Sequence, residues 1–338
     1  MAVDGLRIIS ILAVVLIHTT TRTMEASSFH LETIQWTVFL NQAARFAVPL
    51  FFMISGFVLE LNYDHHPNYF AYLWKRINRI FIPYIFWSAV YYYFIYTQHG
   101  VNFLTALLYG SASWQLYFIP TLLIFYIVFP LLHELYTFIT NKWIFLGLTI
   151  IQLWLLWHDY NVKSYDLFYP LGIASLNYMI FILGMVASRN QEVVLSIIRR
   201  WKLLLIFGCV AAAILVYYQG SHLYIQTHNY LRLYSQWRIS ITLYVILLAA
   251  VIYGWLHKAY VDIIKKLAAL SFFVFFVHII FLEKVWKYLF LPLVTHNGGL
   301  TVLQQGWFDP LFFGVTALSS LGLAWVAHKI PYFSRLTG

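Results

Sequence analysis

Asp4-Gly5-Leu6-Arg7-Ile8-Ile9-Ser10-Ile11-Leu12-Ala13-Val14-Val15-Leu16-Ile17-His18 opens an apolar stretch predicted to run over residues 6–24. At about 1.5 Å of rise per helical residue, a stretch of that length crosses most of the roughly 30 Å hydrocarbon layer of a bilayer. The pattern recurs along the chain, with further apolar runs predicted at 38–61, 80–97, 115–137, 143–158, 171–188, 203–219, 238–256, 267–283 and 310–328. The fold expected from these runs is an all-α membrane protein with about ten transmembrane helices. It forms one domain over 1–338, with no appended soluble domain. No small-residue cleavage site follows the first run, so it is read as a span and not as a secretory signal.

Composition agrees with that reading. The chain is 62% hydrophobic and 20% aromatic with 10% charged residues, whereas a soluble domain carries about a quarter charged. Its formal charge of +9 would suggest nucleic acid in a soluble protein. Here the basic residues fall in short gaps between apolar runs, where they set topology, and nucleic-acid binding is excluded. Of the 21 Lys and Arg, fourteen lie in one alternate set of gaps and six in the other. The richer side is expected to be cytoplasmic, which puts both termini in the cytoplasm. The single cysteine, Cys209, excludes an internal disulfide or a thiolate metal cluster.

Ionisable groups at membrane depth are costly and point to function. Arg7 and His18 are eleven residues apart, roughly 1100° of helical rotation, so they share a helix face with about 16 Å between them along the axis. Ser10 and Val14 lie on the same stripe. That geometry suits a charged group held at a membrane mouth and a reactive group held deep in the bilayer, joined by a thin slot, as a nucleotide-tailed thioester would require. The same spacing also suits a buried histidine satisfied by a neighbouring helix and an ordinary cytoplasmic arginine anchor. Arg76 and Arg79, i and i+3 ahead of the third run, form a possible phosphate clamp at a helix N-terminus. Basic residues are expected at cytoplasmic helix ends in any case.

Taken in order, these segments resemble the membrane acyltransferase-3 family of bacterial surface-glycan acyltransferases. The resemblance rests on Asp4-Gly5-Leu6-Arg7 with its spacing to His18, and on Arg45-Phe46-Ala47-Val48-Pro49-Leu50-Phe51-Phe52-Met53-Ile54-Ser55-Gly56-Phe57-Val58-Leu59. It continues through Arg76 and Arg79, Trp114-Gln115-Leu116-Tyr117-Phe118-Ile119-Pro120, and Ser271 to His278. Ile8 stands where the family has glycine, and Tyr117 where its fourth-span motif has Trp. The resemblance implies acyl-CoA as donor, acetyl-CoA foremost, and a glycan or lipid-linked saccharide as acceptor, in a bacterial inner membrane. His18 would be the base or the acyl carrier, and Arg7, Arg76, Arg79 and Ser10 would contact the donor. Arg45, Ser55, Tyr117 and His278 would face the acceptor or the oxyanion. Neutral imidazole near pH 7 suits removal of one alcohol proton.

Other residues have simpler readings. Arg45 could also snorkel to the interface. Glu60, Glu134 and Glu283 are expected to be interfacial. His65-His66 hints at metal without supporting carboxylate or thiol spacing, so no metal is expected. Trp36, Trp114, Tyr160 and Trp307 could stack on sugars, though interfacial aromatic belts account for such residues. The competing function is a transporter or flippase of a lipid-linked saccharide, which would need paired interrupted helices in two inverted halves.

Overall fold

The computed structural model describes residues 2–63, 68–96, 100–162, 169–228, 230–256, 262–296 and 299–330, excluding the side chains of Lys75, Arg76, Leu231 and His296. The described residues are helical with no strand. The predicted apolar runs fall on α1 (Ala2–Ala26), α2 (Gln35–Ala43), α3 (Ala47–Leu61), α4 (Tyr69–Val90), α5 (Phe118–Glu134) and α6 (Lys142–Val162). They continue on α7 (Tyr169–Ser175), α8 (Tyr178–Arg189), α9 (Lys202–Thr227), α10 (Ile239–Leu256), α11 (Asp262–Val285) and α12 (Phe308–His328). Two predicted runs are broken. The second is interrupted by turns at Ala44–Phe46, and α7 and α8 meet at 50°.

Among the described residues, six helical segments are long and apolar enough to cross a bilayer: Ala2–Ala26, Gln35–Leu61, Lys202–Thr227, Arg232–Leu256, Asp262–Thr295 and Phe308–His328. The bent pair α7 and α8 would make a seventh. The remaining predicted runs miss for legible reasons. The 17 residues of α5 reach only about 26 Å. α4 carries Lys75, Arg76 and Arg79, and α6 ends in His158 and Asp159. On α9, Leu203, Phe207, Val210, Ile214 and Tyr218 recur at helical spacing and are all exposed. An apolar stripe of that length has no stable place in water, and hydrocarbon covers it.

The chain divides into two compact units. Unit 1 comprises Met1–Val48, Trp201–Gln236 and Ser240–Ile330, and unit 2 comprises Pro49–Arg200 with Trp237–Ile239. In unit 1, α1, α11 and α12 pack on one another, and α2 packs on α1 and α9. Asp309 of α12 pins three elements. Its Oδ1 accepts from Thr23 of α1 at 2.7 Å and its Oδ2 from Thr37 of α2 at 2.5 Å. Nearby, Met24, Leu31, Trp286, Phe290, Phe308 and Phe312 form an apolar cluster. Because Asp309 is buried, its replacement takes the acceptor from Thr37 and leaves the Thr23 hydroxyl only the longer bond to the Thr19 carbonyl. We expect Asp309→Ala to lower stability by about 1–3 kcal/mol, and Asp309→Asn, which keeps one acceptor, by less. Thermal melts in detergent check the order of the two variants.

In unit 2, an aromatic ladder joins Phe118, Phe52, Phe125 and Phe181, with ring centroids at 5.0, 5.2 and 4.6 Å. The approach of α3 to α8 is set by two glycines. A Cβ on Gly56 would lie 2.1 Å from the Phe181 carbonyl oxygen, and one on Gly184 would lie 2.0 Å from that of Met53. Backbones come this close only where side chains are absent, a common device between membrane helices.

Candidate active site

On α1 the stripe read from the sequence turns inward. Ser10 and Val14 are buried, and the Ser10 hydroxyl donates to the Leu6 carbonyl at 2.8 Å. A ligand can therefore use Ser10 only as an acceptor. Arg7, at the open end, is about a third exposed and pairs with Asp4 at 3.5 Å. His18 is half-buried. Beside it Thr19, Thr20 and Thr23 are buried, and their hydroxyls return to carbonyls one turn back.

Opposite His18 stands a second imidazole. His278 of α11 lies with its ring centroid 5.2 Å from that of His18, the planes tilted by 46°. His278 is fully buried, and its Nδ1 is 3.1 Å from the Val274 carbonyl oxygen. A carbonyl only accepts, so Nδ1 carries the hydrogen in the neutral ring. Among the described residues, its Nε2 has no hydrogen-bond partner.

Arg45, at the break between α2 and α3, is held internally. Its Nε and Nη2 donate to Asn41 Oδ1 at 3.0 and 2.5 Å, its Nη1 donates to the Tyr234 carbonyl at 2.7 Å, and its guanidinium lies over the Tyr234 ring at 5.3 Å. These bonds fix the side chain inside unit 1. Asn41 ties it to the catalytic candidate's helix, donating to the Ile17 carbonyl at 3.1 Å and to Thr20 Oγ1 at 2.9 Å. Sequence reading missed Asn41, although a polar residue four positions before a membrane arginine is a usable signal.

Unit 2 carries the other candidates. The Ser55 hydroxyl donates to the Phe51 carbonyl at 2.8 Å. Tyr117 sits at the start of α5, edge-on to Tyr169 at 5.9 Å. Arg79 is exposed. The Arg76 side chain and the His65-His66 pair lie outside the described residues.

A charged cluster in unit 2 was not foreseen. Glu60, expected at the interface, is buried in the protein, while Arg189 is exposed. It accepts from Arg189 Nε, and His133 Nδ1 is 3.1 Å from its carboxylate. The Arg189 guanidinium lies 3.8 Å over the Tyr136 ring. Together with Glu134 and Thr137 these residues line a crevice. Glu134, by contrast, is exposed. Among the described residues, no group of three His, Cys, Asp or Glu is placed to hold a metal.

Comparison with known proteins places the chain. Two curated relatives come from Staphylococcus aureus strains MSSA476 and MRSA252 and are each named a probable poly-beta-1,6-N-acetyl-D-glucosamine export protein. They are 26% and 25% identical to this chain over 267 residues, covering 74% of this chain and 73% of each relative. No solved structure matches. The family pattern described as an acyltransferase domain matches residues 2–329, which include His18, Arg45 and His278. With nearly the whole chain matched, the protein belongs to the acyltransferase-3 family.

Proposed function

We propose that this chain transfers an acyl group, acetyl being the first choice, from acyl-CoA to a hydroxyl of a cell-surface glycan or lipid-linked saccharide. The observation that carries this reading is His18: an imidazole inside an apolar helix, half-buried beside a second imidazole, on a stripe that leads to an accessible guanidinium at Arg7. Family membership supports the reaction class, and the relatives' printed name supports a polymer of N-acetylglucosamine as the class of acceptor.

His18 works in one of two ways. As a base, it takes the acceptor hydroxyl's proton while the oxygen forms a bond to the acyl carbon. The C–S bond then breaks, and the thiolate receives that proton. As a carrier, its nitrogen bonds the acyl carbon while the C–S bond breaks and the thiolate leaves with the ring's proton; the acceptor oxygen then takes the acyl group as the N–acyl bond breaks, and its proton returns to the ring. Arg7 is assigned to the donor's phosphates with Ser10 along its path, and Arg76 and Arg79 of unit 2 are assigned to the same anion chemistry. Arg45 is assigned to the acceptor and Tyr117 to oxyanion stabilisation, in which Ser55 can share only by turning its hydroxyl away from the Phe51 carbonyl.

We further propose ten crossings of a bacterial inner membrane with both termini in the cytoplasm. The basic-residue asymmetry supports this. So does the Glu60, His133 and Arg189 cluster, which gathers the C-terminal ends of the second, fourth and sixth predicted runs.

Saturating coenzyme A should raise the thermal midpoint of the purified protein, since a ligand bound only to the folded state stabilises it. Arg7→Ala should weaken that binding about tenfold, close to 1.4 kcal/mol. The relatives' name favours export as a second reading. Unchanged melting with coenzyme A, together with loss of polymer from the surface but not of its acylation in a deletion strain, would replace transfer with export.

A further inference from the structure

We propose that His278 is the positioning residue of His18, accepting a hydrogen bond from it and thereby selecting the nitrogen that His18 presents to the reaction. The inference rests on His18 being the acting residue, and it adds how that residue is oriented.

The argument begins with the orphan Nε2 of His278. The Val274 carbonyl at 3.1 Å holds the hydrogen on Nδ1, so the neutral ring turns a lone pair outward at Nε2. Among the described residues that atom is buried without a partner. Leaving a buried acceptor unpaired is unfavourable, so each exception calls for an explanation. The nearest ring is His18, with centroids 5.2 Å apart. Two imidazoles joined in line by an N–H···N bond of about 2.9 Å have centroids roughly 5 Å apart. The separation therefore already suits the bond, and the 46° between the ring planes does not oppose it, since an in-line N–H···N bond leaves the planes free to turn about its axis; what must change is the direction in which His18 presents its nitrogen. The terminal torsion of a histidine is broad, and half-buried His18 is the ring able to turn.

Once the bond forms, His18 keeps its hydrogen on the side of His278 and bears its lone pair on the other nitrogen. In a more familiar arrangement, a carboxylate or carbonyl orients a working histidine in this way. A second, neutral imidazole does it without adding charge to the site. The arrangement is also directional: Val274 sets His278, and His278 sets His18.

The test pairs kinetics with nitrogen-15 histidine NMR on the purified full-length protein, using His278→Leu and His278→Gln, with His18→Ala to assign the ring signals. His278→Leu should lower kcat about 10–100-fold with the KM for acetyl-CoA unchanged. His278→Gln, whose amide oxygen can accept where Nε2 did, should recover most of that loss. His18 should show one tautomer in the unaltered protein and a mixture in His278→Leu. A merely structural role predicts neither the rescue nor the tautomer change. Full kcat in His278→Leu with an unchanged His18 spectrum overturns the proposal. If the leucine variant does not fold, the unaltered protein still decides: a hydrogen on Nε2 of His278, or mixed tautomers on His18, is fatal. Full acyl transfer by His18→Ala would instead remove the functional reading on which this rests, so the two failures are told apart.

Discussion

His18→Ala is expected to reduce acyl transfer by about a thousandfold, within the range that a positioned acid or base contributes, while coenzyme A still raises the melting midpoint. The separation of the two effects follows from the helix. His18 lies about 16 Å along α1 from Arg7, so removing the imidazole leaves the guanidinium that would meet the donor's phosphates in place. Replacement by alanine also leaves apolar packing around Ile11, Val14 and Ile17 intact, since these residues are buried on their own account. The measurement is transfer of labelled acetyl from acetyl-CoA to a polysaccharide acceptor in proteoliposomes, beside a melt with and without coenzyme A. Wild-type transfer by the alanine variant would remove His18 from the chemistry. Lost coenzyme A binding would instead place the imidazole at the donor.

The second large effect concerns stability. Gly184→Ala is expected to destabilise unit 2 by about 3 kcal/mol, at the upper end for overpacking. The added carbon would fall 2.0 Å from the Met53 carbonyl oxygen and 2.9 Å from the Phe57 nitrogen. Both are backbone atoms, so no side chain can swing aside and the helices themselves must part. Gly56→Ala meets Phe181 and Met185 backbone in the same way. Separation of α3 from α8 would also pull Phe52 and Phe181 away from Phe125, which touches both rings. Size-exclusion chromatography after heating in detergent reads the loss. Gly147→Ala and Gly322→Ala, where an added carbon meets open space, serve as controls and should match or exceed the wild-type midpoint, because alanine favours the helix. A Gly184→Ala protein that melts like these controls would show that the helices can part at little cost.

Much of the helical plan was legible because hydropathy alone fixes where apolar helices must lie. The bend between α7 and α8 falls at Leu176-Asn177, past Gly172. The turn at Ala44–Phe46 had its signal in Pro49, whose missing N–H cannot bond the Arg45 carbonyl four residues back. Hydropathy passed over it, and the bonds of Arg45 to Asn41 and Tyr234 show where the break lies. Helical period was enough to put Arg7, Ser10, Val14 and His18 on one stripe, since that relation is local. The proximity of His278 was not readable, because it depends on how α11 packs against α1. Glu60 misled for the same reason: a carboxylate near a span end looks interfacial until Arg189 is found beside it. Gly56 drew notice only as part of a motif, and its purpose lies in the backbone of α8.

The Glu60 and Arg189 pair also sets an order of events during synthesis. Glu60 leaves the ribosome 129 residues before its guanidinium partner, and His133 follows it after 73. Until then the carboxylate waits at the end of its helix without its guanidinium, with only an imidazole as interim company. Fragments ending before Arg189 should leave these helix ends unlatched and be ready substrates for quality-control proteases. Split versions of the protein should accordingly tolerate a cut after α8 far better than one before it.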